Sequence, residues 1–394
     1  MQLSETVKLY PGRSQKAMIV QTMAEYVDTV NHLVSDAAGG RSISKITTAD
    51  VSAALPSALK NQCIRDARSI IRKHYRACRM AVGRNRKLLK SRTLIPHRDG
   101  TGSLYYTDRM GRRVRVTAPH LPVVKKPCCY VNNQNFRIRN GCIEFPVLAG
   151  GRSTRISVPA RMTGRQAALF SGAVFGTMRI VIKNRALVAQ IVYESKEPEL
   201  RTGGSIMGVD LGIKCPAVSY CSDGSIRFHG NGRRNKYLRR HYAYLRRKLQ
   251  AAGKQKAVTR IGHKEQRIMR DLDHKLSREI VNTAVSRQVR VIRLEQLQNI
   301  RSATRKSRKN NHSLHTWSFY RLTRFIEYKA RLAGISVEYV SPAYTSQTCP
   351  VCGSVHHAED RNYTCSCGFH THRDILGAMN ICNSTESVGN RRTA

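Results

Sequence analysis

Residues 344–381 read YTSQTCPVCGSVHHAEDRNYTCSCGFHTHRDILGAMNI, and this stretch decides how the rest of the chain is understood. It holds Cys349-x2-Cys352, a gap of twelve residues, and Cys365-x-Cys367. Four soft thiolates in tetrahedral array select Zn²⁺, so the spacing predicts one structural zinc ion. The second pair is one residue shorter than the usual two-residue gap. His356, His357, His370 and His372 therefore stand as substitutes for Cys367, the weakest of the four assignments. A redox pair or free thiols is the competing reading. Seven residues after Cys367, Asp374 opens an apolar helical pattern.

Two further carboxylates stand where an apolar element meets a turn. Asp210 lies in IMGVDLGIK, a hydrophobic strand running into a glycine turn, and Glu295 closes the buried-type strand VIRLEQL. Any one of Asp210, Glu295 and Asp374 reads equally well as a cap or an ion-pair partner. Together, on elements consistent with one α/β sheet, they read as converging carboxylates. Such a cluster is costly to bury unless divalent cations neutralise it. Oxygen-only ligation suits two Mg²⁺ or Mn²⁺ ions, which at ~3.5–4 Å apart activate water and stabilise the leaving oxygen of a phosphodiester. The glycines of GVDLG have the wrong spacing for a phosphate loop.

Charge names the partner class. The chain has 394 residues, 69 Lys and Arg against 25 Asp and Glu, a formal charge of +44 and a pI near 10.6. A polyanion must neutralise that excess, and nucleic acid fits better than a membrane. No apolar run approaches the ~20 residues of a spanning helix. The start MQLSETVKLYPGR lacks a secretory apolar region, so a cytoplasmic, nucleoid-associated location is expected, with the remaining eight cysteines as reduced thiols. A hydrophobic content of 41% excludes wholesale disorder.

Residues 233–250, RRNKYLRRHYAYLRRKLQ, interleave Tyr237, Tyr242 and Tyr244 with eight Arg or Lys and no acid. This predicts a phosphate-tracking helix face carrying Arg239, Arg240, Arg246 and Arg247. Lys60, Asn61, Gln62 and Arg65, on a helix after Pro56, have side chains suited to reading bases, although an ordinary surface helix is an equal reading. Lys125 and Lys126 add a basic pair. Tyr363, Phe369 and the nearby histidines are available to stack on nucleic acid, whereas Trp317 reads as a core or helix-start anchor. Residues 301–312, RSATRKSRKNNH, read as a basic loop.

The chain is organised in three textures. A short alternating strand ends at Pro11-Gly12 and is followed, from Gln15 to about Arg92, by helical patterns. Between the two long ones a short helix is expected, capped near Thr48 and Asp50. From about Leu94 to Glu194 short strands separated by turn pairs predict a small barrel or sandwich begun by the N-terminal strand. After Gly203 come a strand, a hairpin at Ser222-Asp223-Gly224, long basic helices from Asn235 to Arg287, the strand ending in Glu295, a helix around Thr316 to Ala333, a strand, the cysteine knuckle and a last helix.

GVDLGIK, the Glu295 strand, WSFYRLTRFIEYKARLAGISVEYVSPAYTSQTCPVCG and RDILGAMNI resemble the TnpB proteins. These are transposon-associated, RNA-guided DNA endonucleases with a RuvC-like domain, related to the compact type V CRISPR effectors. The resemblance implies a multidomain α+β fold: a β-barrel wedge domain with an inserted helical recognition lobe, then an RNase H-like (RuvC) α/β nuclease domain with a zinc-knuckle insertion. Its boundaries would be 1–14 and 94–200 for the wedge barrel, 15–93 for the recognition lobe, 201–344 and 372–394 for the nuclease, and 345–371 for the target-nucleic-acid-binding knuckle.

By the same resemblance, Asp210, Glu295 and Asp374 are the catalytic, magnesium-holding carboxylates. Guide RNA and target DNA are the partners, and a prokaryotic monomer is expected. The family's usual Asp two residues before the last catalytic aspartate and Asn two after it are here His372 and Leu376. A guided DNA binder that no longer cuts, and a strand-transfer transposase, are the competing readings.

Overall fold

The computed structural model of the protein describes residues 1–90, 94–98, 104–108, 110–114, 120–297, 314–358 and 360–385. The expected basic loop at 301–312 and most of the short strand expected at 114–118 (VRVTA) lie outside the described residues. The chain divides into two compact units, Met1–Lys196 and Glu197–Ala394. Among the described residues, no helix is long and apolar enough to cross a membrane.

In the first unit, β1 (Gln2–Leu9) precedes two long helices, α1 (Arg13–Ala38) and α2 (Ser57–Lys90). Then follow β2 (Leu94–Arg98), β3 (Leu104–Asp108) and β4 (Arg113–Val114), a small sheet of their own. The rest comprises β5 (Cys128–Val131), β6 (Arg137–Arg139), β7 (Cys142–Ala149), β8 (Arg152–Arg161), α3 (Gly164–Ser171), β9 (Val174–Lys183) and β10 (Ala186–Glu194).

Seven of these strands form a curled sheet in the order β5-β9-β10-β1-β8-β7-β6. The first strand, β1, lies between β10 and β8, antiparallel to both, from Gln2 opposite Glu194 to Leu9 opposite Ala160. Alternation explains the fit: Val7 and Leu9 point into the core while Thr6 and Lys8 point away. Helix α1 buries Ile19, Met23, Tyr26 and Val30 beside Leu59, Cys63 and Ala67 of α2 and Phe145 and Val147 of β7. Full burial of each large apolar side chain contributes about 1.5–3 kcal/mol.

The short helix expected between α1 and α2 does not form. Turns occupy that segment, and Asp50 accepts hydrogen bonds from the backbone N–H (2.8 Å) and hydroxyl (2.7 Å) of Thr47. A capping-type residue has closed a turn instead of starting a helix, because no apolar periodicity follows it.

The second unit begins with β11 (Ser205–Asp210), β12 (Ala217–Cys221) and β13 (Ile226–His229), an antiparallel meander. The expected long basic helices are three: α4 (Gly232–Ala251), α5 (Gln255–Ile261) and α6 (Lys264–Ser286), broken at Gly253 and Gly262, both left-handed. Then come β14 (Val289–Glu295), α7 (Phe319–Arg331), β15 (Ser336–Val340), the hairpin β16 (Asn362–Thr364) and β17 (His370–His372), and α8 (Arg373–Asn383). The main sheet has the order β13-β12-β11-β14-β15, with β14 parallel to both β11 and β15. Trp317, just before α7, packs against the core of this unit and near Phe319.

Helices α6 and α7 enclose a buried cation. Lys329 is 3% exposed, and its Nζ donates to the Ser277 hydroxyl (2.6 Å) and the His274 carbonyl (2.5 Å). Desolvation, aided by the Arg278 charge, pushes its ammonium down to about 8. A base with a depressed folded pKa destabilises the fold below that pKa. Between about 8 and the ordinary lysine value the unfolded chain binds more protons, so this contribution makes stability rise with pH. Lys329→Met is expected to flatten that rise. Urea midpoints of both proteins at pH 7.5 and about pH 10 test it, and parallel pH dependences would refute it.

Candidate functional site

The end of β11 is where the second unit brings its isolated acids together. Asp210 is the last residue of β11 and Glu295 the last of β14, and the two strands are parallel, with Val209 opposite Leu294. The register therefore puts both carboxylates at the same end of adjacent strands. Helix α8 crosses above them. A Cβ on Gly208 would lie 2.2 Å from the Ala378 carbonyl, so only glycine lets β11 and α8 approach this closely. A Cβ on Gly377 would sit 3.2 Å from the Asp210 carboxylate, which leaves that carboxylate facing bare helix backbone. Asp374 occupies the first turn of the same helix.

Electrostatics couple the three. Burial raises the Asp210 carboxyl well above the usual range, and the charges of Glu295 and Asp374 push it further. Burial also raises Glu295, opposed by the Thr345 hydroxyl, which donates to its Oε1. Asp374 is held by Arg361, whose Nη1 lies 2.5 Å from both carboxylate oxygens. Repelling, desolvated carboxylates at one sheet end are the donor set for hard divalent cations, which would remove the repulsion. Among the described residues, however, only the four cysteines bring ligand atoms within 4.8 Å of one another, so the three acids are near but not drawn into such a group.

His372 and Leu376 have structural work. His372 caps α8, its Nδ1 accepting from the Asp374 backbone N–H at 3.2 Å, and Leu376 is fully buried in the knuckle's small core.

Cys349, Cys352, Cys365 and Cys367 form a compact group, with Sγ–Sγ separations of 3.6 Å for Cys349–Cys367 and 3.4 Å for Cys352–Cys365. Zn–S bonds of ~2.3 Å set a tetrahedral edge of about 3.8 Å, so the array suits a zinc ion. Each pair is folded by a turn ending in a left-handed glycine, Gly353 and Gly368. The shortened second pair still delivers Cys367, and none of the four nearby histidines enters the group. The Ser354 hydroxyl and backbone hold the Cys352 thiol down to about 6. Tyr363 is not offered to nucleic acid, and Phe369 is only partly exposed. Tyr363 is 1% exposed and donates to the Gln347 carbonyl, and Phe369 packs beside it in the knuckle core.

The basic candidates divide. Arg240 and Arg247 are exposed on α4, whereas Arg239 donates to the Thr316 carbonyl and Arg246 pairs with Glu265. In the first unit Asn61, Arg65, Lys125 and Lys126 are exposed. Lys60 donates to the Val51 carbonyl at 2.8 Å, and Gln62 is buried with its Nε2 unpartnered.

Three residues escaped sequence reasoning: Thr345, Arg361 and Asn380. Asn380 donates to the carbonyls of Thr345 (2.8 Å) and Thr348 (2.7 Å), tying α8 to the segment that enters the knuckle. An asparagine inside an apolar helical pattern was the signal available for it. Thr345 and Arg361 carry no comparable signal.

Comparisons with known proteins agree with this architecture. Residues 319–381 match the family described as "Cas12f1-like, TNB domain", and residues 190–301 match the one described as "Probable transposase". A TnpB-like protein of Methanocaldococcus jannaschii is 35% identical over 133 residues, covering 33% of this chain and 48% of that one. A CRISPR-associated endodeoxyribonuclease, Cas12f1, of Sulfoacidibacillus thermotolerans is 30% identical over 205 residues, covering 47% of each. The chain thus spans about half the length of these curated relatives. A Cas12f1 solved with single-guide RNA and target DNA superposes with a TM-score of 0.61 at 16% identity, over 94% of this chain and 83% of that one, a likeness of fold.

Proposed function

We propose that the chain is a TnpB-family protein related to the type V effectors, and that it is an RNA-guided DNA endonuclease. The observation that carries the proposal is the half-buried Asp210, repelled by the charges of Glu295 and Asp374 at one end of a mixed sheet. That sheet, an antiparallel meander joined to two parallel strands, supports reading the second unit as the RuvC-like nuclease and the first as wedge and recognition lobe. Asp210, Glu295 and Asp374 would hold two Mg²⁺ or Mn²⁺ ions, which supply a nucleophilic water and stabilise the leaving oxygen of a phosphodiester. The protein's own part is to hold these carboxylates partly shielded from water and fixed. Cys349, Cys352, Cys365 and Cys367 would hold structural Zn²⁺.

A guide RNA would supply sequence, the protein a short motif beside the target. The net charge of +44 fits holding a structured RNA as well as DNA. We place this activity in the prokaryotic cytoplasm, in a monomer.

The test is purification with co-bound RNA, then assay of a matched DNA target with Mg²⁺. Cleavage that survives both Asp210→Ala and Glu295→Ala would exclude the mechanism. Strand-transfer products would mark a transposase.

A second reading, a guided binder that does not cut, draws support from the Arg361–Asp374 pair, which neutralises the third carboxylate without a metal. Arg361→Gln separates the two readings. If Asp374 is a ligand, releasing it tightens Mn²⁺ binding several-fold, read by electron paramagnetic resonance titration. An unchanged affinity would favour the binder.

A further inference from the structure

Helix α4 has an outward face that the proposed cleavage chemistry does not use. At 100° per residue, Arg233, Tyr237, Arg240, His241, Tyr244 and Arg247 share a sector of about 120°, and all six are exposed. Tyr237 is 65% and Tyr244 59% exposed, whereas Tyr242 faces inward at 8%. The Tyr237 and His241 rings already stack, with centroids 5.9 Å apart and planes 22° from parallel. Lys248, also exposed, adds a cation to the same sector, and Arg234 and Lys236 are exposed beside it. Arg239 and Arg246 turn inward to partners, and among the described residues no carboxylate pairs with Arg233, Arg240 or Arg247. The helix itself contains no acid.

The face thus sets two exposed tyrosine rings among cationic side chains on one side of the helix. A protein partner docking on this face would have to bring carboxylates for three free guanidinium groups and aromatic or apolar contacts between them. A single-stranded nucleic acid brings both: phosphates for the cations and π-faces for the rings. A duplex brings only phosphates, because its bases are already stacked. The spacing suits a strand. Tyr237 and Tyr244 stand two turns apart, ~10.5 Å, about three stacked steps of ~3.4 Å.

Placement says which strand. A Cβ on Gly232, the first residue of α4, would lie 2.0 Å from the Lys214 carbonyl, so the helix starts hard against the turn that leaves Asp210. The Asn231 side chain caps that start by accepting from the Arg234 N–H at 3.0 Å. The aromatic face therefore leads away from the carboxylate end of β11. We propose that it is a stacking track for single-stranded DNA, carrying a strand to or from the carboxylates. The choice of DNA rests on the nuclease reading above. The track itself rests on the face.

The test uses the full chain with its co-purified RNA in an Asp210→Ala background, so that no cutting intervenes. Binding of fluorescent oligo(dT) of twelve nucleotides is followed by anisotropy. Tyr237→Ala/Tyr244→Ala is expected to weaken it about tenfold or more, with the double Phe variant retaining affinity. An abasic strand of the same length should bind the parent and the double Ala variant alike. Arg240→Ala/Arg247→Ala should instead flatten the salt dependence by one to two charges. Unchanged oligo(dT) affinity in the double Ala variant overturns the track and leaves the face to another occupant. A larger loss for oligo(U) than for oligo(dT) overturns the assignment to DNA. The nuclease reading fails separately, through absence of cleavage by the unsubstituted protein, and tyrosine-dependent oligo(dT) binding in such a protein would still uphold the track.

Discussion

Asp210→Ala is expected to lower Mg²⁺-dependent cleavage of a matched DNA by about 10³-fold or more, while the protein remains folded and retains its nucleic acid. The magnitude is that of removing one preorganised electrostatic element from a water-poor reacting centre, about 10²–10³-fold, raised because a metal ligand also sets the position of the ion. The residue's environment adds a second, opposite effect. Asp210 is desolvated and repelled by Glu295 and Asp374, so without metal its charge opposes folding. Asp210→Asn removes that charge and keeps the shape. In metal-free protein it should therefore raise the thermal midpoint, by ~2–4 °C for each kcal/mol relieved in a unit of this size. Mg²⁺ should raise the midpoint of the unsubstituted protein and not that of the variant. A lower midpoint for Asp210→Asn in chelator would mean that Asp210 is a structural ion-pair partner, and the catalytic assignment would fall with it.

The chemistry was legible in the sequence wherever it depends on residue type at a fixed spacing. The cysteine pairs are local, so their spacing forecast a group that the fold assembles with two glycine turns. Asp210 and Glu295 stood out because an isolated charge at the end of an apolar strand is costly without a purpose, and parallel register put them side by side. What depends on which way a side chain turns was not legible. Arg239 and Arg240 are neighbours in one basic run, yet the first is spent on the Thr316 carbonyl and the second faces solvent. Tyr363 has stacking chemistry, but a knuckle this small spends that ring on its own core, with Phe369 packed partly against it. Gln62 suffers the same fate in the first unit, where helix phase buries it between exposed Asn61 and Arg65. Arg361 reaches Asp374 only through the β16–β17 hairpin, a contact that no local pattern encodes.

Stripping zinc is expected to unfold the knuckle and, through it, to abolish cleavage. The apolar core of this segment is Cys349, Ala358, Tyr363, Cys365 and Leu376, with Phe369 against them, too few residues to offset the entropy of ordering the segment. Structural zinc contributes ~10–16 kcal/mol in small peptides, ample to hold such a segment. The loss would spread, because Leu376 belongs to the knuckle core and to α8, the helix that carries Asp374 and crosses β11 at Gly208. Asn380 makes a second connection, to the carbonyls of Thr345 and Thr348. Thr345 in turn donates to Glu295, so releasing the knuckle frees two of the three carboxylates from their supports. Hydrogen exchange measures this directly. Chelation at neutral pH, or Cys349→Ser, should deprotect residues 345–385 while the first unit keeps its protection, and cleavage should fall in proportion. Cys367→His should retain much of the zinc, because imidazole is an accepted fourth ligand, whereas Cys367→Ala should not. Full protection of α8 in zinc-free protein would break the proposed link between the knuckle and the three carboxylates, even if zinc proved to bind.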